Sequence, residues 1–488
     1  MTAGLIGDMG AVDATELAEW VARKDVSPTE LLDAALAAVA THNPKLNAVV
    51  MVQEDAARRA IARGLPQGPF RGVPFLLKDL GCEAVDFPGH NGSRLLQNTQ
   101  YPRDSAIFQR IQSTGVVTFG RATSPESGIG CATESAVYGG PTRNPWNPDH
   151  TSGGSSGGSG AAVAAGIVTM AHGSDGGGSV RIPASCCGLV GFKPTRARLP
   201  DGPYAGEGWA GMAIDGFLTH SVRDTARMLD ACEGADLGAP YWAPPLIRSH
   251  ADAISRPPRR LRVALCDTSF TGKAIDPEVR AAVQDAARLL ESLGHHITPI
   301  AALRADVPMM MKAWTDIVAV GTALSIRKAL GDRPLSPDLV EGVSRGAIAR
   351  ADSLTPTRYL EAVQQIHAFG RQMAAEFDPE DDTPGFDILL SATLAEPPAK
   401  VGRFSHQTED YLGFRTGPGM VFDYSPFTAV FNASGQPAVT LPLGMSASRL
   451  PIGIHLASRF GADEELIALC SEIEQAAPWK ASRAALLG

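Results

Sequence analysis

Between Thr151 and Pro183 the chain reads TSGGSSGGSGAAVAAGIVTMAHGSDGGGSVRIP, a tract that sets several serines on glycine-rich backbone. Serine hydroxyls become nucleophiles when a base and a cradle of N–H donors lie close by. Four readings compete for this tract. A flexible Gly/Ser linker is the plainest, but the run passes directly into Ala161-Ala162-Val163-Ala164-Ala165, a good helix former, and a second glycine cluster returns one helix and one strand later. A phosphate-binding loop requires a lysine after its second glycine, and none follows Gly158. Gly154-Ser155-Ser156-Gly157-Gly158 satisfies the G-x-S-x-G elbow of α/β-hydrolases around Ser156. That triad needs an acid and then a histidine downstream; His295, His296, His367, His406 and His455 are available, none in a context that singles it out. The fourth reading is a serine–serine–lysine site.

The fourth pattern strongly resembles the amidase signature family. Ser155 and Ser179 match the spacing of that family's two catalytic serines, and Arg71-Gly-Val-Pro-Phe-Leu-Leu-Lys78-Asp79 looks like its lysine motif. Thr142-Arg-Asn-Pro-Trp-Asn147, Cys187-Gly-Leu-Val-Gly-Phe-Lys-Pro-Thr195, Phe431-Asn-Ala-Ser-Gly-Gln-Pro-Ala438 and Leu450-Pro-Ile-Gly453 match in order as well. The resemblance spans about residues 13 to 480. Within the family, GGSSGGSGAAVAA, SVRIPAS and the Gly-Gln-Pro turn at 435–437 look most like the 6-aminohexanoate cyclic-dimer hydrolases, which act on lactams and linear amides from nylon by-products.

The resemblance implies an amide hydrolase with Ser179 as nucleophile, Lys78 as base and Ser155, after a cis peptide bond, as the bridge between them. It implies an oxyanion cradle from the N–H groups of Gly176, Gly177, Gly178 and Ser179. Residue chemistry is compatible: three glycines let the backbone turn sharply before Ser179, and burial at the end of an apolar strand pushes a lysine toward its neutral form. Asp79 points to the opposite face of an extended chain from Lys78. Asp175 and Arg181 read as residues that fix the loop, and His172 as packing near a strand end. Gly130 and Cys131, in Gly128-Ile-Gly-Cys-Ala-Thr-Glu134, are expected to line the pocket. Gly176 and Ser127 depart from the family's usual larger residues, which suggests a looser oxyanion loop or wider pocket floor. Pocket walls are expected within 200–215, 305–345 and 400–425.

These residues need elements to hold them. Asp13 precedes an apolar-periodic segment ending near Ala22, and Ser27-Pro28 with Glu30 forms a capping-box helix start. Strands are expected at 47–52, 73–77, 116–119, 261–266, 387–391 and 437–443. Helices are expected at 54–64, 105–114, 223–232 and 277–293, and 303–375 reads as a mostly helical side lobe. This alternation predicts an α/β fold. The resemblance specifies it as a mixed, twisted central β-sheet flanked by α-helices on both sides, in a single domain over 1–488.

Bulk properties narrow the function. The 488 residues carry 52 acidic and 43 basic side chains, without a basic tract or aromatic-plus-basic stripe, so no nucleic-acid partner is expected. No apolar stretch is long enough for a membrane span, and Met1–Asp13 carries no basic residue, unlike a secretory signal. Seven cysteines at irregular spacings, with no C-x-x-C pair, argue against disulfides and structural zinc and suit a reducing, cytoplasmic setting. The expected partner is a small, fairly apolar amide: a linear or cyclic ω-amino-acid amide, an aryl amide or a carbamate. No metal or organic cofactor is expected, and a homodimer is allowed but not required. The alternatives are the glutaminase subunit of a transamidation complex, a Ser-His-Asp esterase and a catalytically silent scaffold.

Overall fold

The capping signals at the N-terminus form as written. In the computed structural model, which describes residues 10–379 and 385–479, Asp13 caps helix Ala14–Arg23. The Ser27 hydroxyl accepts the Glu30 N–H while the Glu30 carboxylate accepts the Ser27 N–H, which starts helix Pro28–Leu46. Of the acidic stretch 1–13, residues 1–9 lie outside the described part of the chain, as do the ends of the 1–488 span.

Eleven strands form one mixed sheet: β1 (Val49–Val52), β2 (Pro74–Lys78), β3 (Val117–Ala122), β4 (Met170–Asp175), β5 (Val190–Lys193), β6 (Ile214–Thr219), β7 (Arg262–Leu265), β8 (His296–Pro299), β9 (Ile388–Ala392), β10 (Ala438–Met445) and β11 (Pro451–Ser458). Their order across the sheet is β1-β3-β2-β4-β6-β5-β10-β11-β9-β7-β8. β2 runs parallel to β3 and β4, and β7 parallel to β8 and β9, while β4, β5, β6, β10 and β11 pair antiparallel along the middle. The architecture is the expected α/β one, a mixed sheet flanked by helices.

Three of these elements position the chemistry. β2 is buried along its whole length, and Phe75, Leu76 and Leu77 are fully enclosed. Each such side chain contributes about 1.5–3 kcal/mol of burial energy, which anchors the strand that ends in Lys78. β4 lies beside it in parallel, with Leu76 opposite Ala171, so Lys78, Ser174 and Asp175 emerge at the same edge. In open α/β sheets the crevice beyond the carboxyl ends of parallel strands is where ligands bind. Helix Gly157–Ala164 starts just after Ser156, and the Gly158 N–H donates to the Thr123 carbonyl, which ties the Gly/Ser tract to the end of β3.

The segment read as helical between 303 and 375 holds helices Val307–Leu330, Gly342–Asp352 and Pro356–Phe377. The first of these brings Trp314 against the glycine loop that precedes Ser179.

Candidate active site

Lys78, at the end of β2, has no solvent exposure. Its Nζ lies 2.7 Å from Ser155 Oγ and 2.9 Å from Ser174 Oγ. Burial brings its pKa from the ordinary 10.5 down to about 7, against the opposing charges of Asp215, Asp175 and Asp79. Near neutral pH the amine therefore spends much of its time unprotonated, with a lone pair at hydrogen-bond distance from a serine hydroxyl. Asp79 points away as expected: its carboxylate accepts the N–H groups of His90 and Gly92 and the Tyr138 hydroxyl. Arg121, buried inside β3, donates to the carbonyls of Lys78, Gly81, Cys82 and Phe87 and pins the chain where it leaves β2.

The Gly154–Ser155 peptide bond is cis. Ser155 and Ser179 line one cavity of about 620 Å³ together with Ser174, Gly176, Leu80, Trp209 and Ile326, within the size range of small-molecule sites. Ser156 is fully buried and serves the framework: its Oγ lies 3.3 Å from both the N–H and the carbonyl of Ser174, and its N–H donates to the Ser179 carbonyl. Among the described residues no histidine hydrogen-bonds to Ser155, Ser156 or Ser179. His172 instead accepts the Lys78 N–H and pairs with Asp215, and His455 contacts Arg181.

The loop before Ser179 is held by a buried ion pair. Asp175 and Arg181, both fully enclosed, meet at 2.8 Å. Asp175 also accepts the N–H groups of Gly178 and Val180 and the amide of Asn432, while Arg181 donates to Asn432 Oδ1. Arg181 and Asn432 hold the Asp175 carboxyl well below the usual carboxylate range, against the cost of its burial. This engagement corrects one expectation: the Gly178 N–H is bonded to Asp175 at 2.7 Å and does not face the cavity as a free donor. Among the described residues the N–H groups of Gly176, Gly177 and Ser179 donate to no protein acceptor.

The third glycine does not widen the floor. A Cβ on Gly176 would lie 2.4 Å from the Trp209 ring, and one on Gly177 would lie 2.7 Å from the Trp314 ring. The two indoles pack edge to face, 6.0 Å between centroids, and the Trp314 Nε1–H and Thr428 hydroxyl donate to the carbonyls of Gly176 and Gly177. The glycines are small because tryptophans fill the space. Gly130 and Cys131 line a second, narrow cleft that also touches Ser179, Gly177, Trp209 and Trp314. Burial pushes the Cys131 thiol far above its usual range, which keeps it protonated. The expected wall segments supply Trp209, Trp314, Ile326, Arg415 and Phe422. Sequence reasoning named none of these individually, nor Arg121, whose charge within the run Val-Thr-Phe-Gly-Arg-Ala was the available signal.

Two further cavities, about 450 and 770 Å³, are lined by none of the three proposed catalytic residues. Among the described residues no group of three or more His, Cys, Asp or Glu could hold a metal ion, all seven cysteines are unpaired and buried, and no helix is long and apolar enough to cross a membrane.

A family model described as amidase matches residues 30–467. The chain belongs to the amidase family. This amidase is 37% identical over 484 residues to the 6-aminohexanoate-cyclic-dimer hydrolase of Paenarthrobacter ureafaciens, with 97% of each chain covered. It is 32% identical over 480 residues to an acylamidase of Rhodococcus erythropolis, with 96% of each covered. A solved structure of 6-aminohexanoate cyclic dimer hydrolase complexed with substrate matches it with a TM-score of 0.89 at 34% identity, over 98% of this chain and 100% of the other. The amidase is accordingly an amide hydrolase acting on carbon–nitrogen bonds other than peptide bonds.

Proposed function

We propose that this amidase cleaves small apolar amides, with linear or cyclic ω-amino-acid amides foremost and aryl amides or carbamates as further candidates, through an acyl-enzyme on Ser179. The observation that carries the reading is Lys78: fully buried, with its pKa brought down to about 7, and 2.7 Å from Ser155, which shares a cavity with Ser179. Neutral Lys78 accepts the Ser155 proton as Ser155 accepts that of Ser179. The Ser179 oxygen bonds to the amide carbonyl carbon, and the negative charge that develops on the carbonyl oxygen is met by the N–H groups of Gly176, Gly177 and Ser179. The proton returns through Ser155 to the leaving nitrogen, the C–N bond breaks and the amine departs. Water then repeats the sequence on the ester, releasing the carboxylic acid and restoring Ser179.

Support for the substrate class comes from the match to the cyclic-dimer hydrolase and from cavity walls rich in Leu80, Leu95, Leu96, Trp209 and Ile326. The test is a hydrolysis panel of 6-aminohexanoate cyclic and linear dimers, a fatty anilide, an aryl carbamate and glutamine, on the wild type and Lys78→Ala. Turnover of the dimers or the anilide, at least about a thousandfold slower in Lys78→Ala, is the expected result. Turnover of glutamine alone, or full activity of the variant, contradicts the proposal.

A further inference from the structure

The narrow cleft beside Ser179 has a cation at its wall. Arg415 lies in helix Tyr411–Thr416 and is 2% exposed, and its Nε and Nη2 are buried without a hydrogen-bond partner among the described residues. Arg415 forms no ion pair there either. The carboxylates nearby are committed elsewhere: Asp316 to Arg350 and Arg358, and Glu341 to His406. What surrounds the guanidinium is aromatic, with its central carbon 5.0 Å from the Trp314 ring centroid, 5.3 Å from that of Tyr411 and 5.6 Å from that of Phe414. Those rings stabilise the charge partly and leave the two donor nitrogens, Nε and Nη2, unsatisfied.

A buried arginine with open donors is costly to a fold, and its planar fork suits a carboxylate better than any other common group. The cleft offers about 30 Å³, room for about two waters and hence for a group of carboxylate size. Its other walls are mostly apolar, including Ile182, Val421, Phe422 and Ala429, and it meets the main cavity at Gly128, Ser179 and Trp209. The cleft itself admits only the acid, so a substrate whose spacer lies in the main cavity could direct a terminal carboxylate past Ser179 to the unpaired guanidinium.

We propose that Arg415 forms a carboxylate subsite, so that this amidase prefers amides carrying a terminal carboxylate a short apolar spacer from the scissile bond. The inference rests on the amidase reading of Ser179 and adds a specificity residue to it.

The test uses the full-length enzyme and matched neutral and acid-ended substrates on each side of the amide. Adipoyl mono-p-nitroanilide is compared with hexanoyl p-nitroanilide, and N-hexanoyl-6-aminohexanoate with N-hexanoyl-hexylamine. The readout is the ratio of kcat/KM within each pair, for the wild type, Arg415→Gln and Arg415→Lys. In at least one pair the acid-ended member is expected to be favoured at least about tenfold, in line with a charge-assisted hydrogen bond. That ratio falls to about one in Arg415→Gln and is partly kept in Arg415→Lys. A ratio near one in both pairs for the wild type, or a preference that survives Arg415→Gln, overturns the proposal. General damage from the substitution slows both members together and leaves a true preference in place. Failure of the wild type on all four compounds would count against the amidase substrate reading instead.

Discussion

Replacing Lys78 by Met should abolish activity and make the protein more stable. The wild-type fold lowers the Lys78 pKa from 10.5 to about 7 by burial. At 1.36 kcal/mol per pH unit, that represents roughly 5 kcal/mol of destabilisation, fully present below about pH 7. It declines as pH rises from about 7 toward 10.5, because across that window the unfolded chain holds the proton and the folded one does not. Met fills nearly the same volume without a charge, but it gives up the hydrogen bonds to Ser155 and Ser174, each worth about 1 kcal/mol. The net gain is about 2–3 kcal/mol at pH 6, on the order of 3–5 °C in Tm for a chain of this size. It should shrink steadily above pH 7 and change sign near about pH 9, where the remaining burial cost equals the two lost hydrogen bonds. Lys193 is also fully buried and held down to about 7, so the difference between wild type and variant, rather than either curve alone, isolates Lys78. Thermal melts of both proteins from pH 6 to pH 10 measure it. A variant less stable than wild type at pH 6, or a gain independent of pH, would refute the claim that burial lowers the Lys78 pKa.

With a neutral amide substrate, kcat/KM should fall about tenfold per pH unit below about pH 7 and level off above it, since the base must be unprotonated; a profile flat down to pH 5 would exclude Lys78 as that base. Gly176→Ala places a methyl 2.4 Å from the Trp209 ring and should cost about 1–3 kcal/mol from overpacking along with at least about tenfold in kcat/KM. The double variant with Trp209→Leu should recover part of both in a double-mutant cycle. Arg181→Met leaves Asp175 charged, buried and without its ion-pair partner, and should destabilise the protein by about 3–5 kcal/mol in chemical denaturation.

Much of this site could be read in the chain because it is built locally. The capping box at Ser27, the apolar run into Lys78 and the glycines before Ser179 each carry their structural consequence in a few consecutive residues. The less regular strands were harder. β6 carries Asp215 and Gly216 within its run, and β8 is largely exposed, so neither shows a clean apolar pattern. The pocket walls were legible only as segments. Trp209, Trp314 and Arg415 lie far apart in sequence and acquire meaning when folding sets the two indoles against Gly176 and Gly177 and Arg415 over the Trp314 ring. The loss of Gly178 as an oxyanion donor was likewise out of reach, since nothing in the order of residues says that Asp175 turns back onto that N–H.

Ser179 is the proposed nucleophile, and covalent trapping tests that role most directly. The enzyme is inactivated with an aryl sulfonyl fluoride, digested and mapped by mass spectrometry, alongside Lys78→Met. Modification of Ser179 in the wild type, and at least about a hundredfold slower labelling of the variant, is the predicted result. A label on Ser156 or Cys131, or Ser179 labelled equally fast without Lys78, would contradict it.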